Sequence, residues 1–157
     1  MKKIFFFIAA LTLSFAAQAA VHTCTPAANS LSWCLTQADT LILTDGVYEE
    51  AYTISIEKPG VLIKAAEGAK PVIKLTGEWT SLQLYATITF DGITVDGTGV
   101  CYYPISAFGS DAGTYTFKNC EFTGWTYWAI SNHYESNTHV DNVLIENCIF
   151  HDAAGSA

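Results

Sequence analysis

Arginine is absent from this 157-residue chain, and cations of any kind are few. Seven lysines stand against fifteen aspartates and glutamates, which gives a formal net charge of -8. Each contact to a phosphate group needs a nearby cation, so this composition argues against a nucleic-acid partner and an anionic membrane surface. Half of the residues are hydrophobic and only 14% are charged, which predicts a single globular domain with a core.

Long apolar runs are also missing, apart from one near the N-terminus. No other stretch reaches the ~20 apolar residues that a bilayer crossing needs, so no membrane span is expected. Two lysines precede an apolar run over residues 4–17, and Ala-Gln-Ala at 17–19 places small residues where a signal peptidase reads them. This pattern predicts a signal peptide over residues 1–19 and a secreted, periplasmic or cell-surface location. The alternatives are cleavage after Ala20 or a buried N-terminal helix.

Metal-ligand spacings are absent as well. The five cysteines form no C-x-x-C pair and no Cys/His ligand spacing, and there is no Asp-x-Asp run of the kind that binds calcium. The residues themselves therefore predict no metal site and no cofactor. In an exported chain the cysteines can form disulfides, and their odd number leaves at least one unpaired within the chain. Cys24 and Cys34 are one candidate pair.

A repeat with an interval of 27 to 28 residues is the main feature that is present. Residues 88–95, 115–122 and 143–150 share the pattern apolar, any, apolar, polar, Gly or Asn, apolar, any, apolar. Residues 61–64 keep the same phase one interval earlier. Alternating apolar positions predict two short strands in each unit, with every second side chain pointing inward.

The Gly or Asn position of the repeat predicts a bend between the two strands. Gly92, Asn119 and Asn147 occupy this position, where the backbone needs a positive φ that these residues adopt most readily. The two asparagines are expected to form hydrogen bonds to neighbouring coils. Cys120 and Cys148 follow them and should be vertical neighbours, either as buried thiols, which the pattern favours, or as a disulfide.

Units of this length cannot bury their inward faces alone, so they must stack. Stacking predicts an all-β fold, a right-handed parallel β-helix of about four coils, in which equivalent strands lie ~4.8 Å apart. Like residues should then form columns through the interior. One such column is predicted to contain Phe90, Phe117 and Ile145.

A short capping helix is expected over residues 30–38, with Asn29 or Ser30 as its N-cap. It would cover the open end of the first coil, so that residues 20–39 form a cap and residues 40–157 form the coils. Small residues rather than a second cap follow the last repeat. We therefore expect further coils in a longer chain, or a partner that covers this end, rather than a self-contained protein.

The first coil carries a family resemblance. Residues 39–48 read Asp-Thr-Leu-Ile-Leu-Thr-Asp-Gly-Val-Tyr, followed by short apolar segments at 54–56 and 60–65. This stretch resembles the opening coil of secreted bacterial β-helix proteins of the pectate-lyase superfamily, especially its chondroitinase-B-like and alginate-lyase-like branch. Ala38 stands where that family usually has glycine. The resemblance implies the N-terminal portion of such a protein, polysaccharide chemistry, and calcium by family analogy only.

The sequence leaves open whether the chain is an enzyme. A uronate lyase needs a cation at the substrate carboxylate and a base that removes the α-proton, and no complete catalytic set is present. One interpretation is an exported non-catalytic β-helix module that binds a polysaccharide or acts as a surface scaffold. The other is the N-terminal part of a polysaccharide lyase for uronic-acid polymers, with catalytic coils beyond residue 157.

An aromatic cluster in one coil is the strongest candidate binding site. Exposed rings stack on the apolar faces of sugars, and neighbouring polar groups bind the hydroxyls. Tyr102 and Tyr103 lie in the corresponding stretch of the preceding coil. The alternative is that these rings pack loops against the wall of the solenoid. The predicted carbohydrate-binding residues are Trp125, Tyr127, Trp128, His133 and Tyr134.

Overall fold

The computed structural model describes residues 20–108, 113–132 and 140–155. The predicted signal peptide, residues 1–19, lies outside this part of the chain. Over the described residues the chain is mostly β-strand, with one short helix near the N-terminus. No helix among them is long and apolar enough to cross a membrane.

The secondary-structure elements are numbered along the chain. They are β1 (Val21–Cys24), α1 (Ser30–Gln37), β2 (Thr40–Leu43), β3 (Gly46–Glu50), β4 (Ile54–Ile56), β5 (Val61–Ala65), β6 (Pro71–Leu75), β7 (Leu82–Leu84), β8 (Ile88–Asp91), β9 (Thr94–Asp96), β10 (Ile105–Ala107), β11 (Gly113–Lys118), β12 (Glu121–Thr123), β13 (Ile130–Asn132), β14 (Val140–Glu146) and β15 (Ile149–His151).

These strands form three parallel sheets that stack into a β-solenoid. The first sheet has the order β1-β2-β5-β8-β11-β14, the second β3-β6-β9-β12-β15, and the third β4-β7-β10-β13. From β2 onward, neighbouring strands in each sheet lie one coil apart along the chain, and the third sheet has four strands, one for each full coil. The predicted parallel solenoid with a short N-terminal helix is therefore confirmed.

Like side chains stack in columns through the interior, as the repeat predicts. Phe90 pairs in register with Phe117, and Phe117 pairs with Ile145. The rings of Phe90 and Phe117 are 5.5 Å apart between centroids and 15° from parallel. In the second sheet Phe122 stacks on Phe150 with a centroid distance of 4.8 Å. Each coil thus covers the apolar layer of the one before it.

The bend between the first and second sheets has the predicted positive φ. This angle is 73° at Gly92 and 52° at both Asn119 and Asn147. Asn119 Nδ2 donates to Asp91 Oδ1 of the preceding coil at 2.7 Å. Asn147 Nδ2 lies 3.4 Å from Asn119 Oδ1, one coil further on. The asparagine side chains therefore link successive coils, which confirms the expected hydrogen bonds.

The cysteines divide into one disulfide and three free thiols. Cys24 and Cys34 form the disulfide, with their Cα atoms 6.1 Å apart, so the candidate pair is confirmed. Cys101, Cys120 and Cys148 are free, and the first two are buried. Burial raises the pKa of Cys101 to about 12 and that of Cys120 to about 11. These two thiols therefore stay protonated at neutral pH and behave as small apolar groups.

The N-cap of α1 lies at Asn29, one of the two predicted positions, but the helix is not capped by that side chain. The backbone of Asn29 is left-handed with φ 54°. Asn29 Oδ1 instead accepts a hydrogen bond from the backbone N–H of Ala51 at 2.9 Å. The buried carboxylate of Glu50 serves the helix, because its Oε1 accepts the N–H of Leu31 at 2.9 Å. A carboxylate from β3 thus replaces the predicted local cap.

The first coil contains two strands that the repeat does not predict. β1 pairs in register with β2, so part of the expected cap is the first strand of the first sheet. β3 begins at Gly46, where φ is 127° and the chain changes direction after β2. A Cβ at Gly46 would come within 2.6 Å of Pro26 Cγ. The buried Tyr48 hydroxyl then donates to the Cys24 carbonyl at 2.6 Å and links β3 to β1.

The last described coil presents apolar side chains to solvent. Val143 and Ile145 of β14 are each 48% exposed, and Ile149 of β15 is 60% exposed. Within the described residues no further strand pairs with β14 or β15. The expectation that further coils or a partner cover this face stays a prediction.

Candidate functional site

A groove runs across the outer face of the third sheet. It encloses about 520 Å³, within the range of roughly 300–1,000 Å³ that is usual for ligand sites. The described residues that line it are Trp79, Ser81, Gln83, Tyr103, Ser106, Phe108, Trp128, Ile130, Ser131 and Asn132.

The floor of the groove is a row of polar side chains from three successive strands. Gln83 of β7 pairs in register with Ser106 of β10, which pairs with Ser131 of β13. Successive side chains of a strand point to opposite faces, so these three face outward while their apolar neighbours face the core. They repeat at ~4.8 Å along the solenoid axis. Each can both donate and accept hydrogen bonds, so the floor suits a row of hydroxyl groups.

One side of the groove is an aromatic wall formed by Trp79, Tyr103 and Trp128. Each residue lies just before a strand of the third sheet, namely β7, β10 and β13. Tyr103 and Trp128 stack with their ring centroids 5.5 Å apart and their planes 9° from parallel. The ring centroid of Trp79 lies 6.3 Å from that of Tyr103. Trp79 and Trp128 stay 69% and 57% exposed, so ring surface of the aromatic wall reaches solvent.

Tyr102 supports the aromatic wall without lining the groove. Its ring contacts Trp79 and Tyr127 edge-on, at centroid distances of 4.8 and 4.9 Å. Its hydroxyl donates to Glu78 Oε2 at 3.1 Å, and this bond raises the pKa of Tyr102. Its backbone N–H donates to the Glu78 carbonyl at 2.8 Å, and its carbonyl accepts from the N–H of Trp128 at 3.3 Å. Backbone hydrogen bonds between successive coils thus continue into the loops, and they hold the aromatic rings in register.

Rings also flank the floor on its other side. Tyr85 and Phe108 follow β7 and β10, and they stack with a centroid distance of 5.0 Å and an angle of 22°. The Tyr85 hydroxyl donates to Gln83 Oε1 at 3.1 Å and so orients the floor amide. A polar strip between aromatic rings offers hydrogen bonds and apolar contact together, and sugars need both.

The structure brings two of the predicted site residues together on this face. Trp128 is part of the aromatic wall, and Tyr127 lies beside it with ring centroids 5.9 Å apart. Trp125 is half-buried and packs against the core, away from the groove lining. His133 and Tyr134 lie outside the described residues. A carbohydrate-binding role for the five stays a prediction, and Trp125 lies outside the described lining of the groove.

The sequence analysis missed Trp79 and the floor residues Gln83, Ser106 and Ser131. The polar position between two inward-facing residues in each third strand is the signal that could have found them. That signal is weak because the third strands do not keep the repeat interval. Leu82 pairs with Ile105, 23 residues later, and Ile105 pairs with Ile130 after 25 (105 minus 82, and 130 minus 105).

A comparison of the chain with models of known protein families and with curated proteins finds no match. The pectate-lyase branch therefore stays a prediction. In the described part of the chain, no group of three or more His, Cys, Asp or Glu side chains is placed to hold a metal ion. The calcium that the resemblance implies thus has no such ligand set there.

Proposed function

We propose that the chain is an exported, non-catalytic β-solenoid module that binds a polysaccharide in the groove of the third sheet. The observation that carries this proposal is the aromatic wall beside a row of polar floor residues. The described lining consists of rings, amides, hydroxyls and aliphatic groups, which are the groups that hold a sugar in place. It contains neither a carboxylate nor a lysine that could act as a base at neutral pH.

The repeat of the solenoid favours a polymer over a single sugar. The aromatic wall takes one ring from each of three successive coils, and the floor takes one polar side chain from each of the same coils. A glycan lying along the solenoid axis would meet an equivalent pair of groups at every coil. The weak contacts at successive coils then add up along one glycan molecule. An isolated monosaccharide can make the contacts of one coil only.

Export is proposed from the N-terminal sequence pattern. Residues 1–19 would be removed as a signal peptide, leaving residues 20–39 as a cap and residues 40–157 as coils. The disulfide between Cys24 and Cys34 supports this proposal. Such bonds persist in oxidising compartments outside the cytoplasm.

Replacement of one ring of the aromatic wall tests binding. The variant Trp128→Ala should weaken retention on an immobilised polysaccharide panel roughly tenfold for the polymer that the native protein binds. Trp33→Ala is the matched control, because Trp33 is equally exposed at 58% but lies on α1. Circular dichroism should show the same β-sheet signal for both variants.

Three results would contradict the proposal or part of it. Equal retention of the native protein and Trp128→Ala would remove the groove as the binding site, and so would a failure of every polymer in the panel to be retained. Ultraviolet absorbance from new double bonds in a uronate polymer, formed by the purified protein, would contradict the non-catalytic assignment.

A further inference from the structure

The described residues that line the groove carry no formal charge. We propose that the glycan bound there is a neutral polysaccharide, and that polymers of uronic acid are excluded. This inference rests on the proposed function and names the substrate class of the same site. Two observations support the inference: the positions of the described lysines and the hydrogen-bonding groups of the floor.

All five described lysines lie away from the groove. Lys118 of β11 pairs with Glu146 in the first sheet, with Nζ 3.4 Å from Oε2. Lys58 follows β4, the strand of the third sheet that does not line the groove, and pairs with Asp39. No described cation is therefore placed to meet a carboxylate in the groove. The other three lysines lie in or between strands of the first and second sheets: Lys64, Lys70 and Lys74.

A bound uronate would carry a charge that this lining cannot compensate. A carboxylate that loses water beside Trp128 without a cationic partner costs free energy, because an unpaired charge is poorly solvated next to apolar surface. Residues 1–19 contain two lysines and no acidic residue, so the exported chain would carry a formal net charge of -10 (-8 minus 2), which adds repulsion of a polyanion during approach. Both effects act against acidic polymers and leave neutral ones unaffected.

A neutral glycan matches the floor group by group. The hydroxyls of Ser106 and Ser131 can each donate one hydrogen bond and accept others, and the Gln83 amide can donate through Nε2 while its Oε1 accepts from the Tyr85 hydroxyl. Sugar hydroxyls have this dual character too, so no charged partner is needed on either side. The apolar faces of the sugar rings would lie against the aromatic wall.

The test compares neutral and acidic polymers on the full chain. The probes are a soluble β-glucan and a galactomannan as neutral polymers, and polygalacturonate and alginate as acidic ones. Affinity electrophoresis at low ionic strength should retard the protein with at least one neutral polymer and with neither acidic one. If an acidic polymer binds and Trp128→Ala abolishes that binding, the neutral-glycan inference fails while the proposed function stands. If nothing binds, both fail.

A positive charge introduced into the floor gives a second test, because it should allow the acidic polymers to bind. At polymer concentrations where the native chain is not retarded, Ser131→Lys should be retarded by the acidic polymers, with an affinity on the order of fivefold above the native limit, because a cation near a carboxylate in water is worth about one kcal/mol. Ser131→Gln is the matched control, since it adds length without charge and should leave acidic polymers unbound. Native affinity for the acidic polymers equal to that of Ser131→Lys would contradict the inference.

Discussion

A single backbone angle decides which residues can occupy the bend between the first and second sheets. At Asn119 and Asn147 φ is 52°, in the left-handed region that an ordinary side chain enters only at a cost. Asparagine tolerates this region, and here its amide also reaches the neighbouring coil, from Asn119 to Asp91 and from Asn147 to Asn119. Glycine at position 92 satisfies the same angle without such a link. The residue type at this position thus serves both the bend and the stacking of coils.

Two substitutions of Asn119 separate these contributions. Asn119→Gly keeps the angle and loses both the bond to Asp91 Oδ1 and the longer one from Asn147 Nδ2, so it should lower the free energy of unfolding by about 0.5–1.5 kcal/mol. Asn119→Ala loses the same bonds and must also adopt the unfavourable angle, which should add roughly 1–2 kcal/mol. Urea denaturation measures both values. Equal stability of the alanine and glycine variants would show that the angle is not what selects asparagine.

The residue type at the bend made its backbone angle predictable. The group that accepts the N–H at the start of α1 could not be predicted in this way. Asparagine or glycine at a fixed phase of the repeat indicates a positive φ directly. The carboxylate that serves α1 comes from Glu50, and Leu31, whose N–H it accepts, lies 19 positions earlier. No local pattern marks such a pair, because only the packing of β3 beneath the helix brings the two groups together.

At the scale of elements, α1 is held to the solenoid by contacts from two strands. The disulfide joins Cys34 of α1 to Cys24 of β1, and Glu50 of β3 accepts the N–H of Leu31. Burial raises the pKa of the Glu50 carboxyl, since only 1% of the residue is exposed. The helix of eight residues is too short to be stable alone, so these contacts fix its position.

The variant Glu50→Ala should destabilise the chain by about 1–3 kcal/mol, because it leaves the buried N–H of Leu31 without an acceptor. Glu50→Gln keeps an oxygen at the same place and should cost less. Thermal unfolding under oxidising conditions compares the two. A Gln variant as unstable as the Ala variant would refute the acceptor role of this side chain.

The second sheet has a contact between coils that depends on pH. His151 Nδ1 lies 2.7 Å from Asp152 Oδ2, and Nε2 lies 2.8 Å from Glu121 Oε1 on the neighbouring strand β12. The bond to Asp152 and then that to Glu121 raise the pKa of His151 above its usual value of 6.5. Since the folded pKa is the higher one, the stabilisation is complete below the unfolded value and is lost as pH rises through the folded value.

This contact predicts that the difference in stability between the native chain and His151→Gln depends on pH. The native chain should have the higher unfolding midpoint at acidic pH, below about 6.5, and the difference should shrink as pH rises above the folded pKa. Glu121→Gln removes one of the two acceptors and should reduce the dependence in part. A difference of the same size at acidic and alkaline pH would argue against a charged His151 in this contact.

At the scale of the whole molecule, stacking explains both the fold and the groove. From β8 onward the interval of the repeat predicts the first two sheets well, because the columns through Phe117 and Phe122 keep one phase over several coils. The third sheet is less predictable, since the loops before it differ in length and shift its strands off that interval. The groove lies on this sheet, and of its lining residues the sequence analysis named Trp128 as a candidate but not Trp79 or Gln83. Variation in loop length thus shapes the groove on a constant scaffold.

The most direct test of the groove is a nuclear magnetic resonance titration of the indole N–H signals. The chain has four tryptophans, and a Trp→Phe variant at each position assigns its signal. Addition of the neutral polymer that binds in electrophoresis should shift the signals of Trp79 and Trp128 and leave those of Trp33 and Trp125 in place. Shifts confined to Trp33 or Trp125, with the two aromatic-wall signals unmoved, would contradict the account.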